Sequence, residues 1–332
     1  MDRRANLEIQ VATPRLREDR PPFWRGYLLP KLAFLAAGFP KDSFGSIDIT
    51  NKCNLRCKHC YFFAQDYPPE LKDDEWIARL DALKAAGHPL RSCTWVGGEP
   101  LLRKNLIERA RKYFQFNLVV TNGGFGIPGW RDVFFHVSVD GLEEQHDAIR
   151  GKGSYAKLKK TIREASPDCH ITIACCINKM NRDCIEPMLE EWYPETNVRG
   201  VMFDFFTPIK GITDDLWIPF AERDELIDKL IALKRSRRYR RFIGVSTRAL
   251  DLMKAKNRHV AVGENCVFLQ RGFALDPMGN RKALCMFGPG ADCDKCGCIV
   301  PFYLRTRVER RYILREMWGD LKGLVFPSQN GL

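Results

Sequence analysis

The 332-residue chain has no uninterrupted apolar run of residues as long as the roughly 20 that a bilayer-spanning helix needs. The residues after Met1 are polar and lack the apolar core of a signal peptide, which predicts a cytoplasmic protein. We find no internal repeat of fixed period, no G-x-G-x-x-G dinucleotide fingerprint and no cobalamin-binding pattern. The hydrophobic fraction of 45% is nevertheless sufficient for one large domain, or for a domain with an appendage.

The chain is basic, with a net charge of +12 and dense positive runs at 234–241 and 305–315. Such positive charge can attract nucleic acid, an anionic membrane or an acidic substrate. No nucleic-acid-binding fold signature accompanies the runs, so we expect solvated helix faces and no nucleic-acid partner. Segment 23–39 mixes aromatic, basic and leucine residues, which is typical of a helix at a membrane interface or of one packed on the protein's own body. Peripheral membrane contact therefore stays open.

Thirteen cysteines are many for a chain in a reducing compartment, where they favour metal binding or catalysis over disulfides. Three lie close together near residue 55 and five crowd the region 266–298. The rest lie in or beside apolar segments and are interpreted as core residues: Cys93, Cys169, Cys175, Cys176 and Cys184.

Between residues 46 and 206, strand-like and helix-like segments alternate. The predicted strands are apolar runs rich in Val, Ile and Phe: 46–50, 92–96, 116–121, 133–139, 170–177 and 200–206. The predicted helices lie between and after them: 74–86, 105–113, 155–165, 183–192 and 219–235. Six βα units predict an α/β fold with a partial (β/α)6 TIM-like barrel. The segment 262–303 is rich in Cys, Gly and Pro, which predicts a small C-terminal Cys-rich module held by metal. The expected division is an N-terminal arm (1–44), the barrel (45–240) and the auxiliary region (241–332).

Cys53, Cys57 and Cys60 follow the first predicted strand in the order C-x-x-x-C-x-x-C. Three thiolates on one tight loop can hold three irons of a 4Fe–4S cluster, which leaves the fourth iron without a protein ligand. Active sites of such barrels are built from the loops after the strands, which is where this loop lies. The alternative is a zinc site, in which His59 would compete with the cysteines.

The stretch Cys53-Asn54-Leu55-Arg56-Cys57-Lys58-His59-Cys60-Tyr61 resembles the signature of radical S-adenosylmethionine (SAM) enzymes. The resemblance implies that SAM binds the open iron through its amino and carboxylate groups, with Tyr61 beside it. An electron from the cluster would then cleave the sulfonium. The resulting 5′-deoxyadenosyl radical would abstract hydrogen from an unactivated C–H bond. A reducing partner such as flavodoxin or ferredoxin is also implied.

Three further segments resemble motifs of the same family. Gly97-Gly98-Glu99-Pro100, after the second strand, is similar to the motif that binds the SAM amino group. Thr121-Asn122-Gly123, after the third strand, is similar to a turn lining the SAM pocket. Ser138 and Arg150 match the pair that contacts the SAM carboxylate, and Asp140 is placed to reach a ribose hydroxyl. Arginine suits contact with the SAM carboxylate because its fork of donors matches a carboxylate.

Cysteines at the C-terminal end resemble the SPASM/Twitch modules that hold auxiliary clusters. Five are present: Cys266, Cys285, Cys293, Cys296 and Cys298. Five cysteines favour a single auxiliary 4Fe–4S cluster over two. The predicted ligands are Cys266, Cys285 and Cys293, with Cys296 or Cys298 as the fourth. Zinc is the alternative metal, since a C-x-x-C with two distant cysteines also fits a tetrahedral site.

The resemblance leaves two substrate classes open. SPASM-like modules favour a peptide or protein substrate, whereas the basic surface and segment 23–39 would suit a lipid or isoprenoid at a membrane. A non-catalytic iron–sulfur or zinc scaffold is disfavoured, because such a protein would have no use for the Gly97–Glu99 turn or for Ser138 and Arg150.

Overall fold

The computed structural model describes residues 41–63, 69–211 and 214–308, with side chains to residue 306. The six predicted strands are confirmed to within two residues, and a seventh, short strand follows later in the chain. The strands are β1 (Phe44–Thr50), β2 (Ser92–Gly97), β3 (Phe116–Thr121), β4 (Val133–Ser138), β5 (His170–Ile177), β6 (Val198–Phe205) and β7 (Gly272–Leu275). They form one parallel sheet in the order β6-β5-β4-β3-β2-β1-β7. No pairing closes β6 onto β7 in the described residues, so the predicted partial barrel is confirmed.

The predicted helices are also present, with small shifts at their ends. The helices are α1 (Asp73–Ala85), α2 (Lys104–Ala110), α3 (Glu143–Arg150), α4 (Ser154–Glu164), α5 (Ile185–Trp192), α6 (Phe220–Arg235), α7 (Thr247–Leu252), α8 (Val267–Arg271) and α9 (Ile299–Val308). The sequence prediction did not include α3, α7, α8 or α9. Each is ten residues or shorter.

The two faces of the sheet have different surroundings. Along β5 every second residue is fully or nearly buried, and Ile171 and Ile173 on this face pack into the core with Leu158, Met188 and other helix side chains. The opposite face is half-buried, because it lines a cavity instead of a second helical layer. The continuous apolar runs in the sequence therefore correspond to one core-facing side and one cavity-facing side.

The region after residue 241 contacts the sheet directly. Strand β7 pairs with β1 from Phe44 opposite Gly272 to Ile47 opposite Leu275. The side chains of Asp48 in β1 and Lys282 form an ion pair that is almost completely buried. The predicted domain boundary near residue 240 stays a prediction.

Two sequence predictions about membranes have different outcomes. Among the described residues, no helix combines the length and apolarity required to cross a bilayer. The predicted interfacial segment 23–39, with the N-terminal arm, lies outside the described residues.

Candidate active site

The cavity-facing side of the sheet and the loops at the carboxyl ends of its strands enclose about 680 Å³. Its lining includes most of the predicted site residues: Cys53, Cys57, Cys60, Tyr61, Gly97, Gly98, Glu99, Thr121, Asn122, Ser138 and Arg150. The carboxyl ends of parallel strands meet at one edge of the sheet, and for this reason motifs spread over almost 100 residues converge. Pro100 and Asp140 are buried just outside this lining.

The cysteine loop begins directly after β1, and its three cysteines are half-buried. The Leu55 main-chain N–H donates to Cys53 Sγ over 3.4 Å, and Arg150 Nη1 lies 3.9 Å from Cys57 Sγ. Burial raises the pKa of the Cys57 thiol to about 11, so without a bound cation the sulfur keeps its proton. A metal centre would supply the charge that the thiolates need, as metal binding releases thiol protons.

Within residues 41–63, 69–211 and 214–306, no three His, Cys, Asp or Glu side chains are arranged as ligands of one metal ion. The donor set on the cysteine loop does fit an iron–sulfur cluster. Three sulfurs from one loop line a single cavity, and cluster irons are normally held by cysteine thiolates. An unpartnered buried nitrogen, His59 Nδ1, lies on the same loop.

The turn Gly97–Gly98 packs against the main chain of the cysteine loop. A Cβ atom at Gly98 would lie 2.1 Å from Lys52 O and 3.1 Å from Cys53 N. Gly97 has a φ of +117°, which other residues rarely adopt. Main-chain hydrogen bonds join the two segments, from Gly98 N to Thr50 O and from Glu99 N to Lys52 O, both 2.8 Å. The glycines are thus required for contact with the cysteine loop.

The Glu99 carboxylate connects this turn to the Thr121–Gly123 turn. It accepts hydrogen bonds from Thr121 Oγ1 at 2.7 Å, Asn122 N at 2.8 Å and Leu101 N at 3.0 Å. Burial raises the pKa of Glu99 above its usual value, although the three donors oppose that shift. Asn122 then donates to Asn54 Oδ1 at 2.8 Å and lies 3.7 Å from Cys53 Sγ. Three loops from different strands are therefore held in one arrangement.

Asp140 forms an ion pair with Arg150, which also contacts the cysteine loop. The fully buried carboxylate accepts from Arg150 Nε at 2.6 Å, lies 3.1 Å from His59 Nε2 and accepts from Cys176 N at 3.0 Å. Its pKa is held well below the usual range because the attraction of Arg150, followed by that of His59, outweighs the cost of burial. Arg150 Nη2 is also 3.5 Å from His59 Nε2. With its Nε held by Asp140, Arg150 presents the other end of its guanidinium to the cavity beside Cys57.

The sequence analysis considered His59 only as a competing zinc ligand. Its contact with Asp140 joins the Cys53–Cys60 loop to the segment 138–150, and no sequence pattern indicates this pairing. His136 on β4 and Asp204 on β6 also line the cavity. Burial lowers the pKa of His136 to about 4 and raises that of Asp204 to about 6.

His146 belongs to the same hydrogen-bond network around Asp140, and it makes the free energy of unfolding depend on pH. Its Nδ1 accepts from Asp140 N at 3.2 Å, which requires a neutral ring. Burial, followed by the charge of Arg150, lowers the pKa of His146 from 6.5 to about 3. Between these pH values the unfolded chain binds a proton that the folded chain does not. The free energy of unfolding therefore falls as the pH falls, by up to about 1.4 kcal/mol per pH unit from this group.

We expect His146→Gln to reduce this acid sensitivity, because the glutamine amide can accept from Asp140 N without titrating. Urea midpoints of the anaerobic protein at pH 7 and pH 5 measure the difference. The exposed His259→Gln substitution is the control and should leave the slope unchanged. If the urea midpoint of His146→Gln falls between pH 7 and pH 5 as much as that of the wild type, this histidine is not the titrating group.

In the C-terminal region all five cysteines interact electrostatically with others of the group, and Cys298 also lines the cavity. Burial raises the pKa of Cys285 to about 12, and the nearby thiols of Cys296, Cys293 and Cys266 contribute in the same direction. Cys298 is buried, lines the cavity and interacts electrostatically with Asp204.

Residues 47–191, from β1 into α5, match the family model described as the Radical SAM superfamily. This range contains the cysteine loop, the Gly97–Pro100 turn and the Ser138–Arg150 segment. These 145 of the 332 residues match the radical SAM domain.

Two individual proteins are similar to part of this chain and differ in their named functions. The sporulation killing factor maturation protein SkfB of Bacillus subtilis is 31% identical over 163 residues, covering 44% of this chain and 38% of that protein. Fe-coproporphyrin III synthase of Methanosarcina barkeri is 32% identical over 161 residues, covering 43% and 40%. The alignments thus span less than half of either relative.

A solved structure extends the likeness in fold beyond the radical SAM domain. The structure of anSMEcpe with bound AdoMet and the Kp18Cys peptide has a TM-score of 0.57 and 16% identity, covering 83% of this chain and 82% of that one. At this identity the likeness shows the fold.

Proposed function

We propose that this chain is an enzyme that reductively cleaves SAM at a 4Fe–4S cluster and abstracts hydrogen from an unactivated C–H bond of a peptide or protein. The observation that carries the proposal is the convergence of Cys53, Cys57 and Cys60 with Gly98 and Arg150 on one cavity. When bound, the cluster would supply the electron that breaks the sulfonium bond, and the protein would position the reactants and exclude water.

The chain's own residues have distinct tasks in this proposal. Ser138 and Arg150 would hold the SAM carboxylate, with Asp140 and His59 fixing the guanidinium. The Glu99 carboxylate already accepts three protein donors, so its main task is to hold the loops together. The SAM ammonium would then bind a main-chain carbonyl of the Gly97–Glu99 turn. The predicted contact of Asp140 with a ribose stays a prediction.

A peptide substrate is supported by two of the similar proteins and by the cavity. SkfB is named as a maturation protein of the sporulation killing factor, and anSMEcpe was solved with a bound peptide. Aromatic side chains that line the cavity suit an apolar peptide side chain, namely Phe62, Phe206, Phe268, Phe287 and Tyr303.

The Fe-coproporphyrin III synthase relative supports a tetrapyrrole as the second candidate substrate. Incubation with either class, followed by mass spectrometry for substrate-dependent loss of hydrogen, distinguishes them. Turnover of the tetrapyrrole alone would contradict the peptide assignment.

For the C-terminal region we propose one auxiliary 4Fe–4S cluster held by Cys266, Cys285, Cys293 and Cys296. The mutual electrostatic effect of the thiols supports a shared site, and Cys298, which interacts with Cys296 and Cys285 and lines the cavity, is the alternative fourth ligand to Cys296. A reducing partner such as flavodoxin or ferredoxin would deliver electrons, and zinc is the alternative occupant. Metal analysis of the anaerobically reconstituted protein should give about eight irons per chain, and about four after all of Cys53, Cys57 and Cys60 are changed to Ala.

The catalytic proposal is tested by incubating the reconstituted protein with SAM and dithionite and measuring 5′-deoxyadenosine. Cys57→Ala should reduce product to background, because it removes one of three cluster ligands. Cys169→Ala, a buried cysteine outside the cavity, is the matched control and should retain activity. A wild-type protein that forms no 5′-deoxyadenosine despite full iron content would overturn the proposal.

A further inference from the structure

Two arginines are buried against the turn that carries Cys293 and Cys296. Arg223 in α6 is 1% exposed and Arg258, in a short turn after α7, is 8% exposed. Arg223 Nη1 donates to Cys296 O at 3.0 Å. Arg258 donates to Asp294 O and to the carbonyls of Cys293 and Cys296, both at 3.3 Å. Both guanidiniums thus contact the main chain of one cysteine turn.

Neither guanidinium forms a salt bridge within the described residues, although Asp204 and Asp224 act electrostatically on Arg223, and Asp292 and Asp294 on Arg258. No carboxylate of residues 41–63, 69–211 or 214–306 forms an ion pair with Arg223 or Arg258. Arg223 Nε and Nη2 and Arg258 Nε have no hydrogen-bond acceptor. Aromatic rings contact the groups instead: Phe205 lies 4.8 Å from Arg223, and Phe220 lies 4.5 Å from Arg258.

Such an arrangement is unfavourable unless negative charge lies nearby. An ionised group out of water costs several kcal/mol, and the ring contacts recover about 2 kcal/mol or less. Arg223 and Arg258 also repel each other, and burial lowers the pKa of Arg223 to about 10. The largest attraction on both arginines comes from Cys296 of the cysteine turn, ahead of the nearby carboxylates, and Cys293 of the same turn also acts on Arg258.

We propose that Arg223 and Arg258 compensate the negative charge of the metal–thiolate centre at Cys266, Cys285, Cys293 and Cys296, and that they raise its reduction potential. This inference rests on the auxiliary cluster of the proposed function. Four thiolates give such a centre a net negative charge, and reduction makes it more negative. A positive charge held close by in a medium of low dielectric therefore stabilises the reduced form. The arginines are positioning residues and do not contact substrate in this scheme.

The inference is tested in the full chain with Cys53, Cys57 and Cys60 changed to Ala, so that only the auxiliary cluster is observed. Arg223→Met and Arg258→Met remove the charge while keeping an apolar stem, and the corresponding Lys variants keep the charge. The reduced cluster is followed by electron paramagnetic resonance during a potentiometric titration. The exposed Arg199→Met substitution is the control.

In each Met variant, we expect the ratio of reduced to oxidised cluster at fixed potential to fall about tenfold, which equals about 59 mV for one electron. The Lys variants should stay within about threefold of the parent, and Arg199→Met should match it. If the Met variants lose iron instead, retention by the Lys variants would still support charge compensation.

Two results would contradict the inference while the cluster assignment stands. One is an unchanged potential in iron-loaded Met variants. The other is equal loss of iron from the Met and Lys variants, because lysine retains the charge. By contrast, a parent protein that holds no iron, or holds zinc in its place, overturns the cluster assignment before any arginine is changed, and the inference with it.

Discussion

Gly98→Ala is expected to displace the three-cysteine loop so that it no longer holds its cluster, and to lower 5′-deoxyadenosine formation by at least about hundredfold, since a misplacement near 1 Å alone can cost that much. The new Cβ would lie 2.1 Å from Lys52 O and 2.5 Å from Lys52 C. Both are main-chain atoms, so no side-chain rotation relieves the contact. Separation of the two segments would also break the hydrogen bond from Glu99 N to Lys52 O.

The measurement combines iron content with product formation under anaerobic conditions. Iron should fall by about four per chain, since one 4Fe–4S site is lost. Gly129→Ala is the matched control, because a Cβ there meets no atom within 4 Å and needs no unusual backbone conformation. Retention of full iron and activity by Gly98→Ala would show that the loop does not depend on this contact.

Asp140→Asn is expected to lower the free energy of unfolding by about 3–5 kcal/mol, the usual cost of leaving one member of a buried ion pair without its partner. The substitution keeps the shape but removes the charge that faces Arg150 and His59. An asparagine NH2 group would moreover direct donors at groups that are themselves donors. Arg150 should then leave its place beside Cys57, and 5′-deoxyadenosine formation should fall with it.

Urea unfolding and product formation are measured side by side for Asp140→Asn. Asp168→Asn removes a carboxylate from an exposed pair with Arg131, and it should change stability by less than about 1 kcal/mol. Equal stability of the two variants would mean that the charge of Arg150 is compensated elsewhere.

The sequence was sufficient to predict the six main strands and the loops at their carboxyl ends. The strands are long apolar runs, and a parallel sheet brings their ends to one edge. It did not predict β7, which has only four residues and pairs with β1 more than 220 positions away. The cysteine and glycine motifs indicated the cavity because their spacing is local.

Contacts between distant segments could not be predicted in the same way. The pairing of His59 with Asp140 spans 81 positions, and nothing in either segment specifies the other. Arg223 and Arg258 resemble ordinary surface cations in the sequence, because burial depends on how the helices pack. The choice between Cys296 and Cys298 depends on which way each thiol faces, and the spacing C-x-x-C-x-C does not determine this.

The open gap between the edge strands β6 and β7 has a consequence for the range of substrates that the cavity can admit. Between β6 and β7 the cavity wall is made by the N-terminal half of α9, with Ile299, Val300 and Tyr303 among its lining. The first residue of this helix is hydrogen-bonded to β6, since Ile299 N donates to Asp204 Oδ1 at 2.5 Å. Substitution of Val300 or Tyr303, which are only half-buried, would alter the cavity and leave the cysteine loop after β1 in place. Under the proposed function, such changes would alter which substrates fit and leave the residues proposed to bind SAM unchanged.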